Sequence, residues 1–244
     1  MTIIELLTLH LQDSLDVSAI DDPSTPAGHI WHNSIARIRR QPGVEFVTYA
    51  HRLEDRRYIQ MSIGWDALSS HETFKQDPDH APLIRTLRPL FTDMPWACHV
   101  NFAPPEAAKA LLLLDGAPVT EIFFAYFTPA EAVADEVTSA YAVGVEEFYA
   151  KTGGQQAGQL GHAGGWAVEE ELDLPAEVGF GLELEDGDGN GGKNNRKARV
   201  YVELVGWESV DAHGRFRQSK AYQENIHLVR TAKPAIEVFH IGRE

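Results

Sequence analysis

Two histidines stand in the same local pattern, 142 residues apart. Gly64-Trp65-Asp66 leads to His71 and Phe74, and Gly206-Trp207-Glu208 leads to His213 and Phe216. Both copies read G-W-[DE]-x4-H-x2-F, and the match runs on through Lys75-Gln76 against Arg217-Gln218 and Arg88 against Arg230. An imidazole has an unperturbed pKa near neutrality, so it can take or give a proton at working pH. On a helix, Leu68, His71 and Phe74 form one stripe, as do Val210, His213 and Phe216. These histidines are therefore candidates for a pseudo-symmetric pair of acid/base groups. The competing reading is a packed histidine bonded to the preceding turn, and retention in both copies is what packing alone would select. Trp65 and Trp207 each end a strand just before a helix, where a large aromatic seals helix against sheet.

A repeat this long implies two copies of one small domain. Each half reads βαββαβ. In the first, Ile3 to Leu11 is a strand, residues 28–40 are a helix, and residues 44–52 and 58–65 are strands. A helix interrupted near Pro78 and Pro82 then runs to about Phe91, and residues 96–102 form the last strand. In the second, the same order runs through strand 119–127, helix 129–151, strands 165–171 and 199–207, helix 210–230 and strand 236–241. The expected domains are 1–103 and 119–244, joined by a linker at 104–118 that contains a short packed helix. An acidic insertion at about 172–197 has no counterpart in the first half. The stretch from Glu169 to Asp188, which leads into it, holds nine acidic residues and neither Lys nor Arg.

The 244 residues carry a formal charge of -15, which disfavours nucleic acid and anionic membrane as partners. Cys98 is the only cysteine, which rules out a disulfide within the chain. The N-terminal segment lacks the basic region and cleavage site of a signal peptide, and no run has the ~20 apolar residues of a spanning helix. A cytoplasmic protein is expected.

The βαββαβ order is that of the ferredoxin-like split βαβ unit. A strand ending in Gly-Trp-[Asp/Glu], then a helix with His and Phe, resembles the antibiotic-biosynthesis-monooxygenase and stress-responsive A/B-barrel families of the dimeric α/β-barrel superfamily. Tandem-copy members in fungi, where Trp-Glu-Ser-Val-x-Ala-His recurs, are similar to Trp207-Glu208-Ser209-Val210-Asp211-Ala212-His213. The resemblance implies an α+β fold in which two ferredoxin-like units pair their sheets into one barrel within a single chain. The superfamily's activities range from cofactor-free oxygenation and cyclisation of aromatic polyketides to haem breakdown and lactone isomerisation, so fold alone does not choose the reaction. The haem branch uses a strand Asn and a helical Trp and His. Phe74 and Ile84, Phe216 and Ile226 occupy those helix positions here, with His227 one residue off, which argues against haem.

In such a barrel each strand shows one face to the helices and the other to the interior. Ile59, Met61, Ile63 and Trp65 fit the helix face, leaving Tyr58, Gln60 and Ser62 to point inward. Val200, Val202 and Leu204 fill the matching positions of the second half. The first half therefore reads as the more polar, and its barrel interior is the expected active site. His10, Tyr58, His71, His99 and His213 are the catalytic candidates. Trp31, His32, Tyr49, His51, Gln60, Phe74, Asn101 and Phe216 are the substrate-binding ones, with Trp31 and His32 at the cavity mouth. Tyr126, His162 and His240 are further polar strand residues.

His29 and His32 share a helix face but lack an evident third metal ligand. Residues 186–191 open like a calcium loop, yet the twelfth position is Lys197 where a Glu is needed. No metal or organic cofactor is expected. The expected partner is a small hydrophobic or aromatic molecule, bound by a monomer with an internal pseudo-dimer or by a homodimer. The leading function is cofactor-independent cyclisation, elimination or oxygenation of an aromatic or polyketide-like substrate by His and Tyr proton transfer. The alternative is a non-catalytic ligand-binding or interaction protein that keeps the barrel.

Overall fold

The computed structural model describes residues 2–127, 135–153, 158–174, 197–230 and 234–242. The first unit contains β1 (Ile3–His10), α1 (Pro26–Ile38), β2 (Val44–His51), β3 (Tyr58–Trp65), α2 (Leu68–Gln76), α3 (His80–Leu87) and β4 (Trp96–Val100). After α4 (Pro105–Leu112) come β5 (Val119–Phe127), α5 (Asp135–Thr152), β6 (Gln159–Trp166), β7 (Leu172–Asp173) and β8 (Lys197–Trp207). The chain closes with α6 (Val210–Gln218), α7 (Lys220–Asn225) and β9 (Ala235–Gly242).

Local chemistry sets the helix starts. Thr25 caps α1 by accepting from the Gly28 amide, and Pro26 occupies the first turn, where its missing N–H costs nothing. Ser209 and Ser219 cap α6 and α7 in the same way. The expected break in the second helix of unit one is present, with α2 ending at Gln76 before Pro78. The unit-two helix expected to run unbroken over 210–230 also breaks, because α6 ends at Gln218 and Ser219 caps a new helix.

The strands form two antiparallel sheets, in the orders β2-β3-β1-β4 and β6-β8-β5-β9, with the short β7 on β8. Their registers match residue for residue. Ile3 pairs with Trp65 as Val119 pairs with Trp207, and Glu5 pairs with His99 as Glu121 pairs with His240. Both edge strands carry a bulge at the same point, at Val44/Phe46 and at Gln159/Gly161.

Two seams join the sheets. Arg52 bridges to Ile241, and the Leu53 amide donates to the His240 carbonyl at 2.8 Å. On the other side Val100 bridges to Ala167, and the Val168 amide donates to the His99 carbonyl at 2.7 Å. The molecule is thus two tandem ferredoxin-like units closed into an intramolecular α/β barrel. No described helix is long and apolar enough to cross a membrane.

Apolar side chains from both sheets meet in the barrel interior. Leu6, Cys98, Val100, Phe124, Val202 and Phe239 belong to one buried cluster between the sheets, which Leu111 and Leu112 of α4 extend. Arg52 sits over the rings of Phe239 and Tyr58 and pairs with Glu237 at 2.7 Å. Tyr126 also donates to Glu237, at 2.9 Å. Separate apolar clusters lie between each sheet and its own helices, around Trp31, Met61 and Trp65 in unit one and around Tyr141, Phe148 and Trp207 in unit two.

One strand differs from expectation. β6 spans Gln159–Trp166, not 165–171. Gly164 and Gly165 are needed where backbone and side chains crowd the strand. A Cβ on Gly165 would lie 2.3 Å from the Asn101 carbonyl oxygen across the seam. Residues 186–191, the calcium-loop match, lie outside the described residues, as does most of the acidic insertion.

Candidate functional site

On the helix side of each sheet a chain of five side chains runs from the molecular surface to a buried carboxyl. In unit two it begins at Glu54, which belongs to unit one. Glu54 accepts from the His240 backbone amide and pairs with His240 Nδ1. His240 Nε2 meets His213 Nδ1 at 2.8 Å, and His213 Nε2 lies 3.4 Å from Glu121 Oε2. Trp207 stacks on His213 and donates its indole N–H to the same Glu121 oxygen at 2.8 Å. Unit one repeats the arrangement. Glu169 of unit two holds His99, His99 Nε2 meets His71 Nδ1 at 2.7 Å, and His71 Nε2 lies 3.7 Å from Glu5 Oε2. Trp65 donates to Glu5 at 3.0 Å.

The seams explain the exchange of carboxylates. β2 ends where it meets β9, so Glu54 is delivered to His240. β6 ends where it meets β4, so Glu169 is delivered to His99. The register supplies the rest, because Glu5 lies directly opposite His99 and Glu121 opposite His240 on the helix-facing side.

The hydrogen-bond pattern assigns the proton positions. A carboxylate only accepts, so His240 carries its proton on Nδ1 and turns a lone pair on Nε2 toward His213. His213 must then donate from Nδ1, which leaves its own Nε2 free to accept. The same reasoning fixes His99 and His71. Burial then holds the inner histidines neutral. His71 and His213 are each lowered to about 4, first by desolvation and then by the neighbouring imidazole. Burial acts in the opposite direction on the inner carboxyls. Glu5 is raised, and Glu121 is raised to about 7, the Trp indole bond offsetting part of the desolvation. Glu54 and Glu169 are lowered, because their bonds to His240 and His99 outweigh partial burial.

Glu5, His71 and His99, and likewise Glu121, His213 and His240, each offer one ligand atom within 4.8 Å of one another. Two histidines and a carboxylate can hold a divalent transition metal. In the arrangement present, the facing ring nitrogens are spent on each other, so a metal would have to displace the proton they share.

The two units differ in the space beside these chains. A cavity of about 310 Å³ in unit two is lined by Glu121, Trp207 and His213, with Phe148, Tyr149 and Phe216 among its aromatic walls, and Arg217 and Arg230 also reach it. The corresponding cavity of unit one is about 90 Å³. Trp31, Ile35, Met61, Leu83 and Phe91 crowd it. Both cavities lie between sheet and helices, and the larger is in the second half. The sequence pattern points to the barrel interior of the first half, whereas these two cavities lie on the helix side of the sheets and the roomier one belongs to unit two. Inward-facing Tyr58 and Gln60 make that half the more polar, and Arg52, Thr8 and the interior cluster occupy the space around them.

The candidate residues divide accordingly. His71, His99, Phe74 and Trp31 come together in unit one, and His213 and Phe216 in unit two. His10 stacks on Tyr58 at 4.4 Å away from either cavity. His32 and His51 both bond Asp21, and Tyr49 packs edge-on against Trp31. Gln60 is buried against Thr8, and Asn101 is exposed. The reading from sequence missed Glu5, Glu121, Glu54 and Glu169, and it did not rank His240 among the catalytic candidates. A signal was present. Before the insertion the repeat offset is 116 for the first strand and 115 for the second, and these offsets superpose Glu5 on Glu121 and Glu54 on Glu169.

No protein-family model matches the sequence, and no curated protein matches it. Solved structures do. An anthrone oxidase-like protein superposes with a TM-score of 0.58 at 13% identity, covering 99% of this chain and 92% of that one. A proposed monooxygenase from Lactobacillus acidophilus gives 0.51 at 10%, covering 98% and 92%. Another from Fusobacterium nucleatum gives 0.52 at 8%, covering 99% and 91%. The likeness is one of fold. It extends over both units, so the paired-sheet fold is shared.

Proposed function

We propose that this protein is a small-molecule enzyme that removes a proton from an aromatic or polyketide-like substrate in the unit-two cavity, without a metal or organic cofactor. The observation that carries this reading is Glu121, a carboxyl poised near 7 in the wall of an aromatic cavity. A base with that pKa is ionised for part of the time at neutral pH and still strong enough to take a proton. Glu54, with 47% of its side chain exposed, connects it to solvent through His240 and His213. The substrate's proton can thus leave without water entering the cavity. Arg217 and Arg230 favour the anion that forms.

Deprotonation is the step common to cyclisation, elimination and oxygenation. For an anthrone-like phenol, the carbanion supplies the electrons that reduce dioxygen: a CH₂ becomes a carbonyl, one oxygen atom enters the product and the other leaves as water. The anthrone oxidase-like neighbour is consistent with that chemistry. His213 orients Glu121 and passes its proton outward, and Phe216 forms part of the aromatic wall. Purified protein should consume oxygen, or exchange the acidic C–H for deuterium, with a panel of anthrone-like phenols. Glu121→Gln should lose both activities. Absence of both from the unaltered protein would overturn the proposal.

The non-catalytic reading is favoured by one observation: the same relay exists in unit one beside a cavity of only about 90 Å³. Saturable binding of the same phenols, with neither oxygen uptake nor exchange, would establish that alternative.

A further inference from the structure

Unit two buries a second carboxyl that the repeated relay does not use. Glu203 is 1% exposed and lines the same cavity as Glu121. His162 Nδ1 meets its Oε1 at 2.8 Å, and the Tyr201 hydroxyl donates to its Oε2 at 3.0 Å. Tyr149, another cavity residue, stacks on His162 at 4.3 Å. The niche depends on a glycine. A Cβ on Gly164 would lie 2.0 Å from Glu203 Oε2 and 2.1 Å from the Tyr201 hydroxyl.

Unit one shows what packing alone requires at these positions. The matched registers place Met61 where unit two has Glu203, and Ile59 where it has Tyr201. They also place Val47 at the His162 position and Tyr49 at the Gly164 position. Four apolar or bulky residues fill that corner of unit one. Burying a carboxyl in the same corner costs free energy, so packing gives no reason for it. Glu121 pairs with Val205, and Glu203 stands two residues before Val205 on the same face of β8. The two Cα atoms are therefore diagonal neighbours, about 7–8 Å apart. Burial raises Glu203; desolvation acts to lower His162, but its bond to Glu203 and that carboxylate's charge outweigh this and raise it. The hydrogen bond between them places a proton on the Glu203–His162 axis.

We propose that Glu203, seated over Gly164 and held by His162 and Tyr201, is a second catalytic carboxyl of the unit-two cavity, which protonates a conjugated substrate at a carbon remote from the one Glu121 deprotonates. This rests on the reading of the cavity as a proton-transfer site. The substrate class is a cyclic β,γ-unsaturated ketone, such as a partly aromatised polyketide ring. The Glu121 carboxylate takes the α proton, and the C–H electron pair forms a carbon–carbon double bond as the carbonyl π pair moves to oxygen. Glu203 then gives its proton to the γ carbon as the oxygen's pair re-forms the carbonyl. The double bond has moved into conjugation, with no net gain or loss of electrons. Glu121 discharges its proton through His213, His240 and Glu54, and His162, with 24% of its side chain exposed, reprotonates Glu203.

The test uses a bicyclic β,γ-enone (an octalinone) in D₂O, followed by NMR for deuterium at the α and γ carbons and by absorbance for the conjugated product. The unaltered protein should exchange the α position and incorporate deuterium at γ. Glu203→Met, which imports the unit-one residue, and Glu203→Gln, which preserves the shape, should keep α exchange and lose γ incorporation at least tenfold. Glu121→Gln should lose both. If both Glu203 variants keep γ incorporation, or if the unaltered protein exchanges only the α position, the role of Glu203 is overturned while the base function of Glu121 stands. If no α exchange occurs at all, the proton-transfer reading fails and this proposal fails with it.

Discussion

The two units share a relay and differ in what lies beside it. Glu54–His240–His213–Glu121 and Glu169–His99–His71–Glu5 match partner for partner and nearly ångström for ångström. Beside the first is a cavity of about 310 Å³ containing a second buried carboxyl, and beside the second is one of about 90 Å³ lined in that corner by Met61. The relay by itself therefore does not mark the site, because the fold builds it twice. What distinguishes unit two is removed bulk, at Gly164, together with added polarity, at Glu203, Tyr201 and His162.

The largest expected effect comes from the inner carboxyls. Glu121→Gln should lower turnover of a responsive phenol by roughly 10²–10⁴-fold, the usual worth of a positioned acid or base. Glu5→Gln should leave it within about twofold. Equal losses from both variants would show that the units act as one site and would break the comparison.

The outer carboxylates should behave alike in the two units. Glu54→Ala and Glu169→Ala each strip a buried histidine of its acceptor, and each should cost about 1–3 kcal/mol in denaturant unfolding. The contrast lies in catalysis. Glu54→Ala should also slow turnover, whereas Glu169→Ala should act on stability alone.

A smaller effect sharpens the electrostatics. Trp207→Phe removes the hydrogen bond that is the strongest of the influences pulling Glu121 down, so the activity midpoint set by Glu121 should move up from about 7. Trp65→Phe should leave that profile in place. An unchanged midpoint in Trp207→Phe would separate Glu121 from the rate.

The smallest effect is on stability against pH. His213 is lowered to about 4, so the unfolded chain binds its proton first. The resulting stability is complete above about 6.5 and is lost as pH falls toward 4. Glu121 is raised to about 7, so the folded chain binds its proton more tightly, and stability falls as pH rises from about 4.5 to 7. The two slopes oppose each other between about 4.5 and 6.5. Glu121→Gln removes one of them, so its melting temperature relative to the unaltered protein should rise across that window and level off above pH 7.

Much of this architecture was legible in the sequence. The Gly-Trp repeat placed β3, α2, β8 and α6, and period-two patterning assigned Ile59, Met61, Ile63 and Trp65 to the helix face, where they pack. His71 and His213 stood out because the repeat carries them. The carboxylates did not, for two physical reasons. A lone Glu within an apolar strand, such as Glu121 in β5, has no periodicity of its own, and its importance comes from a cross-strand neighbour more than a hundred residues away. Glu54 and Glu169 lie just past strand ends, where acidic residues usually face water, and only closure of the seams turns them toward a histidine. The Gly-rich strand β6 was displaced for a similar reason. Its glycines answer to side chains on β8 and backbone across the seam, which local pattern does not contain.

The exchange of carboxylates across the seams also sets the cost of assembling each site. Glu169 lies 70 residues from His99 along the chain, whereas Glu54 lies 186 from His240. Loop-closure entropy grows with the logarithm of that separation, so the longer closure is about 0.9 kcal/mol more expensive. His99 can meet its carboxylate once Glu169 has been synthesised, while His240 waits for β9 to emerge. The roomier site is thus the one whose parts lie farther apart along the chain.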